Sequence, residues 1–174
     1  LRIAKRIAAS IELMTDSGCA VINRIKGSSA SQKGFYRIIK NKKWNMDDFC
    51  VSLYKECGRR AEGLNHVLCV QDTTELNYGS NSGRIDAKDE HFGYGTGQGS
   101  QNCLFVHPAL VLDASNGLPI GYSSLKIWGR GNSEPGKKHA RRRLPLAEKE
   151  SYRWAESAKN TAQYISSDVC KTMV

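Results

Sequence analysis

The stretch HVLCVQD, residues 66–72, decides the fold of this chain. Its apolar run, Val67–Val70, predicts a β-strand that is buried on both faces. Asp72 comes directly after the strand, where the sheet opens to solvent, and a carboxylate there is a suitable ligand for a hard cation such as Mg²⁺. The alternative is a turn in which Asp72 bonds back to the amides of Thr73 and Thr74, which is the commoner role of a lone aspartate.

The composition limits the size and the partners of the protein. A chain of 174 residues is long enough for one domain, or for a small domain and part of another. Its 26 lysines and arginines against 17 aspartates and glutamates give a formal charge of +9. This excess indicates either a polyanionic partner such as DNA or RNA, or simply a basic surface. None of the six cysteines forms a C-x-x-C pair, which favours reduced thiols in a cytosol.

Helical periodicity extends over the first third of the chain. The first helix ends at residues 16–18, and Ser29 with Gln32 forms a capping box that opens a second one. Asn45 begins a third helix. The side chains expected to point inward are Phe35, Ile38 and Ile39 in the second helix, and Phe49, Leu53 and Cys57 in the third. We therefore predict a small helical bundle over residues 1–62.

The outward positions of these helices are nearly all positive. A charged helix face is usually only a solvated surface, but one sign of charge favours contacts with phosphate groups. The basic residues expected to contact DNA are Arg2, Lys5, Lys26, Lys33, Arg37 and Lys40.

From residue 63 onward the pattern is that of strands. Residues 103–113 and 119–128 flank the turn dipeptide Asn116-Gly117, so with the strand at 66–72 they predict an antiparallel meander. The glycine-rich stretch 79–102 predicts a long mobile connection. Residues 129–147 predict a basic loop that is either a flexible solvated segment or a contact with the DNA backbone. A helix is expected from about 147 to 166, and a new strand begins near Met173. The predicted fold class is α+β, with the first half of an RNase H-like mixed sheet over 63–174.

Four stretches together resemble one family: Gly34–Asn41, Val70–Leu76, Val106–Asp113 and Glu148–Trp154. In order and spacing they are similar to bacterial cut-and-paste insertion-sequence transposases of the DDE type, in the group with a Tyr-Arg-Glu-Lys signature. The first stretch resembles a helix of the family's DNA-binding domain, and the others resemble two strands and a helix of its catalytic core.

The resemblance implies a metal-dependent cutting and joining of DNA. In such enzymes three carboxylates hold two divalent ions, Mg²⁺ or Mn²⁺, which activate the nucleophile and stabilise the leaving oxygen. Asp72 matches the first catalytic carboxylate and metal ligand. The implied partner is double-stranded DNA, both transposon inverted-repeat ends and target, and the implied full-length form is a homodimer. The expected location is the bacterial cytoplasm, in association with the nucleoid and without a membrane anchor.

The rest of the family pattern is expected outside these residues. The second aspartate should follow just after Val174, and the catalytic glutamate and the signature later still, so the chain is expected to be a monomeric fragment, incomplete at both ends and inactive alone. Asp113 and Glu150 are acidic but are not assigned to the site. Two alternatives remain open, namely a truncated DNA-binding protein without catalysis (an inhibitor or a pseudogene product) and an RNase H-like phosphoesterase that acts on RNA.

Overall fold

A computed structural model describes residues 2–25, 28–43, 45–86, 89, 91–97, 101–131 and 143–174. The helices are α1 (Arg2–Ser17), α2 (Ser29–Ile39), α3 (Met46–Ala61) and α4 (Tyr152–Tyr164). The strands are β1 (His66–Gln71), β2 (Thr74–Asn77), β3 (Cys103–Asp113), β4 (Pro119–Trp128) and β5 (Cys170–Met173). The predicted α+β class is confirmed, and the contacts divide the chain into two compact units, residues 1–49 and 50–174.

The first unit is built on α1 and α2. Leu13 of α1 and Phe35 of α2 line the same apolar space, and α1 ends where Gly18 takes a positive φ of 56°. The N-cap of α2 is Ser28, whose hydroxyl accepts a hydrogen bond from the backbone of Ser31, and not the predicted Ser29. Ile39 is exposed, contrary to prediction, because Ile38 already takes the inward position three residues after Phe35.

Most of α3 belongs to the second unit. Its buried positions include Cys50, Tyr54, Cys57 and Ala61, at a spacing of four, three and four residues. Cys57 is buried as predicted, but Phe49 is exposed, and Cys50 and Tyr54 take the inward positions that were expected for Phe49 and Leu53. The chain divides after Phe49 and not at residue 62, because α3 contributes Cys57 and Ala61 to the core that lies against the sheet.

The sheet has β3 at its centre. β3 pairs antiparallel with β4 on one side and with β1 and β2 on the other, and β5 pairs parallel with β1. The predicted meander of β1, β3 and β4 is confirmed. Asn116-Gly117 lies in the connection between β3 and β4, where Gly117 has a φ of 73° and its N–H donates to the Asp113 carbonyl.

The predicted strand 66–72 is interrupted at Asp72 and resumes as β2. The registers Gln71↔Ala109 and Thr74↔Val106 place Asp72 opposite Pro108 of β3. The Gln71 N–H points away from β3 and donates to the carbonyl of Val174 on the β5 side. Because the backbone groups of successive strand residues point to opposite sides, those of Asp72 point toward Pro108. Because proline has no N–H to donate, the ladder is broken at this point.

Only one face of the sheet is fully buried. Val67, Cys69 and Val111 lie on the face that packs against the helices, whereas Leu68 and Val70 on the opposite face are half-buried. The prediction that β1 is buried on both faces is therefore wrong. In the described part of the chain the helix α4 contacts β3 and β4 on one side only, next to the core residues of α3.

The described residues of the connection 79–102 are tied to the sheet and are not the loose segment that was predicted. Gly93 forms a β-bridge with Cys103, and the Tyr94 N–H donates to the Arg130 carbonyl at 2.9 Å. Gly93 allows this approach because a side chain there would collide with the backbone of Arg130. Of the basic loop, residues 132–142 lie outside the described ranges, and the helix expected from about 147 begins at Tyr152. None of the described helices is long and apolar enough to span a membrane.

Candidate functional site

Asp72 lies exposed in the gap between β1 and β2, as predicted. Its Oδ1 accepts a hydrogen bond of 2.7 Å from the backbone N–H of Thr73, which is part of the turn that was weighed as the alternative. In the described ranges no ion pair joins this carboxylate to a lysine or arginine. The side chain is therefore oriented by its own backbone and open to solvent, a state compatible with both a turn and a ligand.

A buried histidine, His107, contacts the residues on both sides of Asp72. The Thr73 hydroxyl lies 2.8 Å from Nδ1 of His107, and Nε2 of His107 lies 3.2 Å from Oε1 of Gln71. Since an amide oxygen only accepts, Nε2 donates to Gln71 and Nδ1 accepts from Thr73. The ring is fully buried and meets Trp154 of α4 edge-on, with 4.9 Å between centroids.

The environment keeps His107 neutral at neutral pH. Burial lowers its pKa below the ordinary value of 6.5, although the nearby Asp72 charge acts in the opposite direction. A neutral ring with its proton on Nε2 leaves Nδ1 free to accept from Thr73. His107 thus fixes the residue whose N–H orients the Asp72 carboxylate.

The parallel strand β5 lies beside β1 up to the neighbourhood of Asp72. Val174 donates its N–H to the Cys69 carbonyl and accepts from the Gln71 N–H, both at 2.9 Å. Adjacent strands lie about 4.8 Å apart. The backbone on the β5 side therefore lies close to the C-terminal end of β1, next to Asp72.

Two other acidic residues of the sheet are engaged in hydrogen bonds. Glu75 accepts from both the N–H and the hydroxyl of Thr96, at 2.8 and 2.6 Å, and these bonds lower its pKa. Asp113 accepts from Ser115 and Asn116 in the β3–β4 connection, which lowers the pKa of its carboxyl. Among the described residues no group of three His, Cys, Asp or Glu is placed to hold a metal ion.

Glu150 forms a separate charged cluster with Arg130. The two side chains meet at 2.7 Å, and the indole N–H of Trp128 also donates to Glu150, at 2.9 Å. Burial acts to raise the pKa of Glu150, but the hydrogen bonds from Arg130 and Trp128 outweigh it, so the pKa is lowered. Arg130 also stacks on Phe105 and Arg153 on Trp128, at 4.0 and 3.9 Å.

Sequence reasoning missed this cluster, which lies beside an open cleft of about 430 Å³. The signal that was available is the opposite charge of Arg130 and Glu150 on the two sides of a basic loop. The Arg130–Glu150 ion pair therefore joins the two ends of that loop.

Four of the residues expected to contact DNA, Arg2, Lys5, Lys33 and Arg37, belong to α1 or α2. Lys33 and Arg37 are exposed four residues apart on one face of α2, and Lys40 is exposed at the C-cap of that helix, three residues further on. Lys5 is exposed on α1. Arg2 is the first residue of α1, and Lys26 lies outside the described residues.

Arg6, which sequence reasoning did not single out, lies in the same unit. It lines a groove between α1 and α2, and Arg37 lines the same groove from the α2 side. No model of a known protein family matches the chain.

Proposed function

We propose that this chain is part of a DNA transposase, with an RNase H-like catalytic core over its second unit and a DNA-binding first unit. In this proposal Asp72 is the first carboxylate of a metal-dependent phosphoryl transfer. The single observation that carries it is the position of Asp72, exposed at the end of β1, the strand that pairs in parallel with β5.

The strand arrangement supports this assignment. The strands β1, β3 and β4 are antiparallel neighbours, and they are followed in the chain by a helix and by β5, which is parallel to β1. This is the order expected for the opening half of an RNase H-like core. A residue that continued β5 beyond Val174 would lie next to Asp72, which is where the family resemblance expects the second aspartate.

The donor chemistry of Asp72 fits a hard divalent ion in part. The carboxylate is exposed, and in the described ranges its hydrogen bond comes from one backbone N–H to one oxygen. One carboxylate is not a complete site, so Mg²⁺ or Mn²⁺ would need further oxygen ligands. When bound, such ions supply an activated nucleophile and charge stabilisation for an in-line displacement. The contribution of this chain is to orient Asp72 through Thr73 and His107.

Manganese binding at Asp72 tests the metal site directly on this chain. Mn²⁺ added to ¹⁵N-labelled protein should broaden the amide signals of Asp72 and Thr73 first, and Asp72→Asn should remove that effect. The matched control is Asp16→Asn, an exposed aspartate near the end of α1. Broadening that is unchanged by Asp72→Asn would show that the ion binds elsewhere.

Cleavage assays test the catalytic role. The 174-residue chain should not nick DNA with Mg²⁺ or Mn²⁺, because one carboxylate does not hold two ions about 3.5–4 Å apart. Joined to a family C-terminal part, it should nick in a metal-dependent way, and Asp72→Asn should abolish the nicking. Nicking by the rebuilt Asp72→Asn enzyme would overturn the assignment.

DNA binding is the part of the proposal that does not depend on catalysis. The affinity for duplex DNA should fall steeply as salt rises, because lysine and arginine contacts release counterions from the phosphates. Arg37→Ala and Lys40→Ala should each weaken binding, measured by fluorescence anisotropy over a salt series. Binding without any metal-dependent cutting by the rebuilt enzyme would instead favour the truncated, non-catalytic DNA-binding protein.

A further inference from the structure

The groove between α1 and α2 brings two arginines from different helices to one place. Arg6 of α1 and Arg37 of α2 both line it, and the groove encloses about 330 Å³. Small residues, Ala9, Ala30 and Gly34, form much of its wall, so a ligand can approach the helix backbones closely. The arginines are therefore the two long side chains with charged ends at this groove.

Charge in the groove is not neutralised. No acidic side chain is among its lining residues, and in the described part of the chain no ion pair joins Arg6 or Arg37 to a carboxylate. Two arginines that line one open volume attract an anion, and guanidinium matches the oxygens of a phosphate in a bidentate way.

Ala30 and Ser31, in the first turn of α2, also line the groove, whereas Arg37 belongs to the last turn of this 11-residue helix, about 10 Å away along its axis. The partial positive charge of a helix start is confined to its first turn. The attraction for an anion at Arg37 therefore comes from the guanidinium groups.

We propose that this groove is a phosphate site in which Arg6 and Arg37 hold one phosphate group of a DNA backbone between them. The inference deepens the proposed DNA-binding function and rests on it for the source of the phosphate. It assigns a role to Arg6 and distinguishes Arg37, which lines the groove, from Lys33 and Lys40, which do not.

A double-variant cycle on duplex DNA tests the shared phosphate. Arg6→Gln and Arg37→Gln should each weaken binding about tenfold, the effect of one charge-assisted contact. The double variant should also lose only about tenfold, and its salt slope should fall by about 0.9, the value for one phosphate. In the control cycle, Lys5→Gln with Arg37→Gln, the loss in the double variant should equal the product of the two single losses.

The outcomes separate the groove from the wider function. If wild-type protein binds duplex DNA but the Arg6 and Arg37 losses multiply, or are absent, the groove inference is overturned while DNA binding stands. If the protein does not bind DNA, inorganic phosphate titrated into ¹⁵N-labelled protein decides the matter. Shifts at Gly34 and Arg37 that Arg6→Gln removes would retain a phosphate site with a free phosphate compound as ligand, whereas the absence of shifts, or shifts that persist in Arg6→Gln, would overturn it. Circular dichroism checks that each variant keeps the wild-type helix content.

Discussion

Thr73 connects the exposed Asp72 to the buried His107, and its hydroxyl is the critical atom. Thr73→Val keeps the shape of the side chain but leaves Nδ1 of a fully buried ring without its 2.8 Å partner. An unsatisfied buried acceptor costs about 1–3 kcal/mol, so the free energy of unfolding should fall by that amount in urea denaturation. Thr74→Val, at the exposed neighbouring position, is the control and should change stability little. Equal stability of the two variants would mean that the Thr73 hydroxyl does not support His107.

His107 should make the stability of the fold depend on pH. Because burial lowers its folded-state pKa, the unfolded chain takes up a proton at higher pH than the folded one does. Stability from this group is therefore lost as the pH falls through 6.5, and the loss is complete below the folded-state pKa. His107→Gln should flatten the pH dependence of unfolding on the acid side of 6.5 relative to wild type. The control His66→Gln should keep the slope, and a slope that persists in His107→Gln would contradict the assignment.

At the scale of single residues, the sequence located Asp72 but not what holds it. A carboxylate after an apolar run is a local pattern, and its exposure follows from the end of the strand. His107 lies 35 positions further along the chain and contacts Gln71 and Thr73 only because β3 pairs antiparallel with β1. Its partners follow from the register of two strands, which no local pattern contains.

At the scale of elements, one hydroxyl group from α3 forms hydrogen bonds with the free backbone edge of strand β4. Tyr54 donates to the Leu125 carbonyl at 3.1 Å and accepts from the Leu125 N–H at 2.8 Å. Unpaired backbone groups on an edge strand are otherwise open to pairing with another chain. Burial is also the main reason that the pKa of Tyr54 is raised to about 12.

Tyr54→Phe should therefore leave both the carbonyl and the N–H of Leu125 without their hydrogen-bond partner. We expect the free energy of unfolding to fall by about 1–3 kcal/mol, and hydrogen exchange at the Leu125 amide to accelerate. Tyr122→Phe, on an exposed tyrosine of the same strand, should leave both quantities close to wild type. Unchanged exchange at Leu125 in Tyr54→Phe would show that water replaces the hydroxyl without loss.

The elements themselves were largely predictable where one local signal is strong. The apolar runs and Asn116-Gly117 predicted β1, β3 and β4, and Asn45, whose Oδ1 accepts from the Asp47 N–H, marks the start of α3. The break at Asp72 was not predicted, because its cause is Pro108 in a different strand. Local patterns do not reveal what a residue lies opposite to.

At the scale of the whole molecule, the division of the chain separates α3 from the other two helices. All three helices are amphipathic, so the sequence assigned them to one bundle over residues 1–62. The deciding feature is the close contact of α3 with the sheet: a Cβ added at Gly121 of β4 would come within 3.1 Å of the Cβ of Cys57. Helix-on-sheet and helix-on-helix packing use the same 3.6-residue period, so the period alone cannot distinguish them.

Two fragments test which division is physical. Residues 45–174 keep α3 with its Asn45 cap and should unfold in one cooperative step with a well-dispersed NMR spectrum. Residues 63–174 follow the sequence-based boundary and lose Cys57 and Ala61, which are 1% and 0% exposed and pack with Val67, Cys69 and Val111. Without them the core lies open on the helix side and the Leu125 edge loses Tyr54, so this fragment should aggregate or bind a hydrophobic dye. If 63–174 were as stable as 45–174, α3 would be dispensable for the sheet, and residues 1–62 would be a separate domain after all.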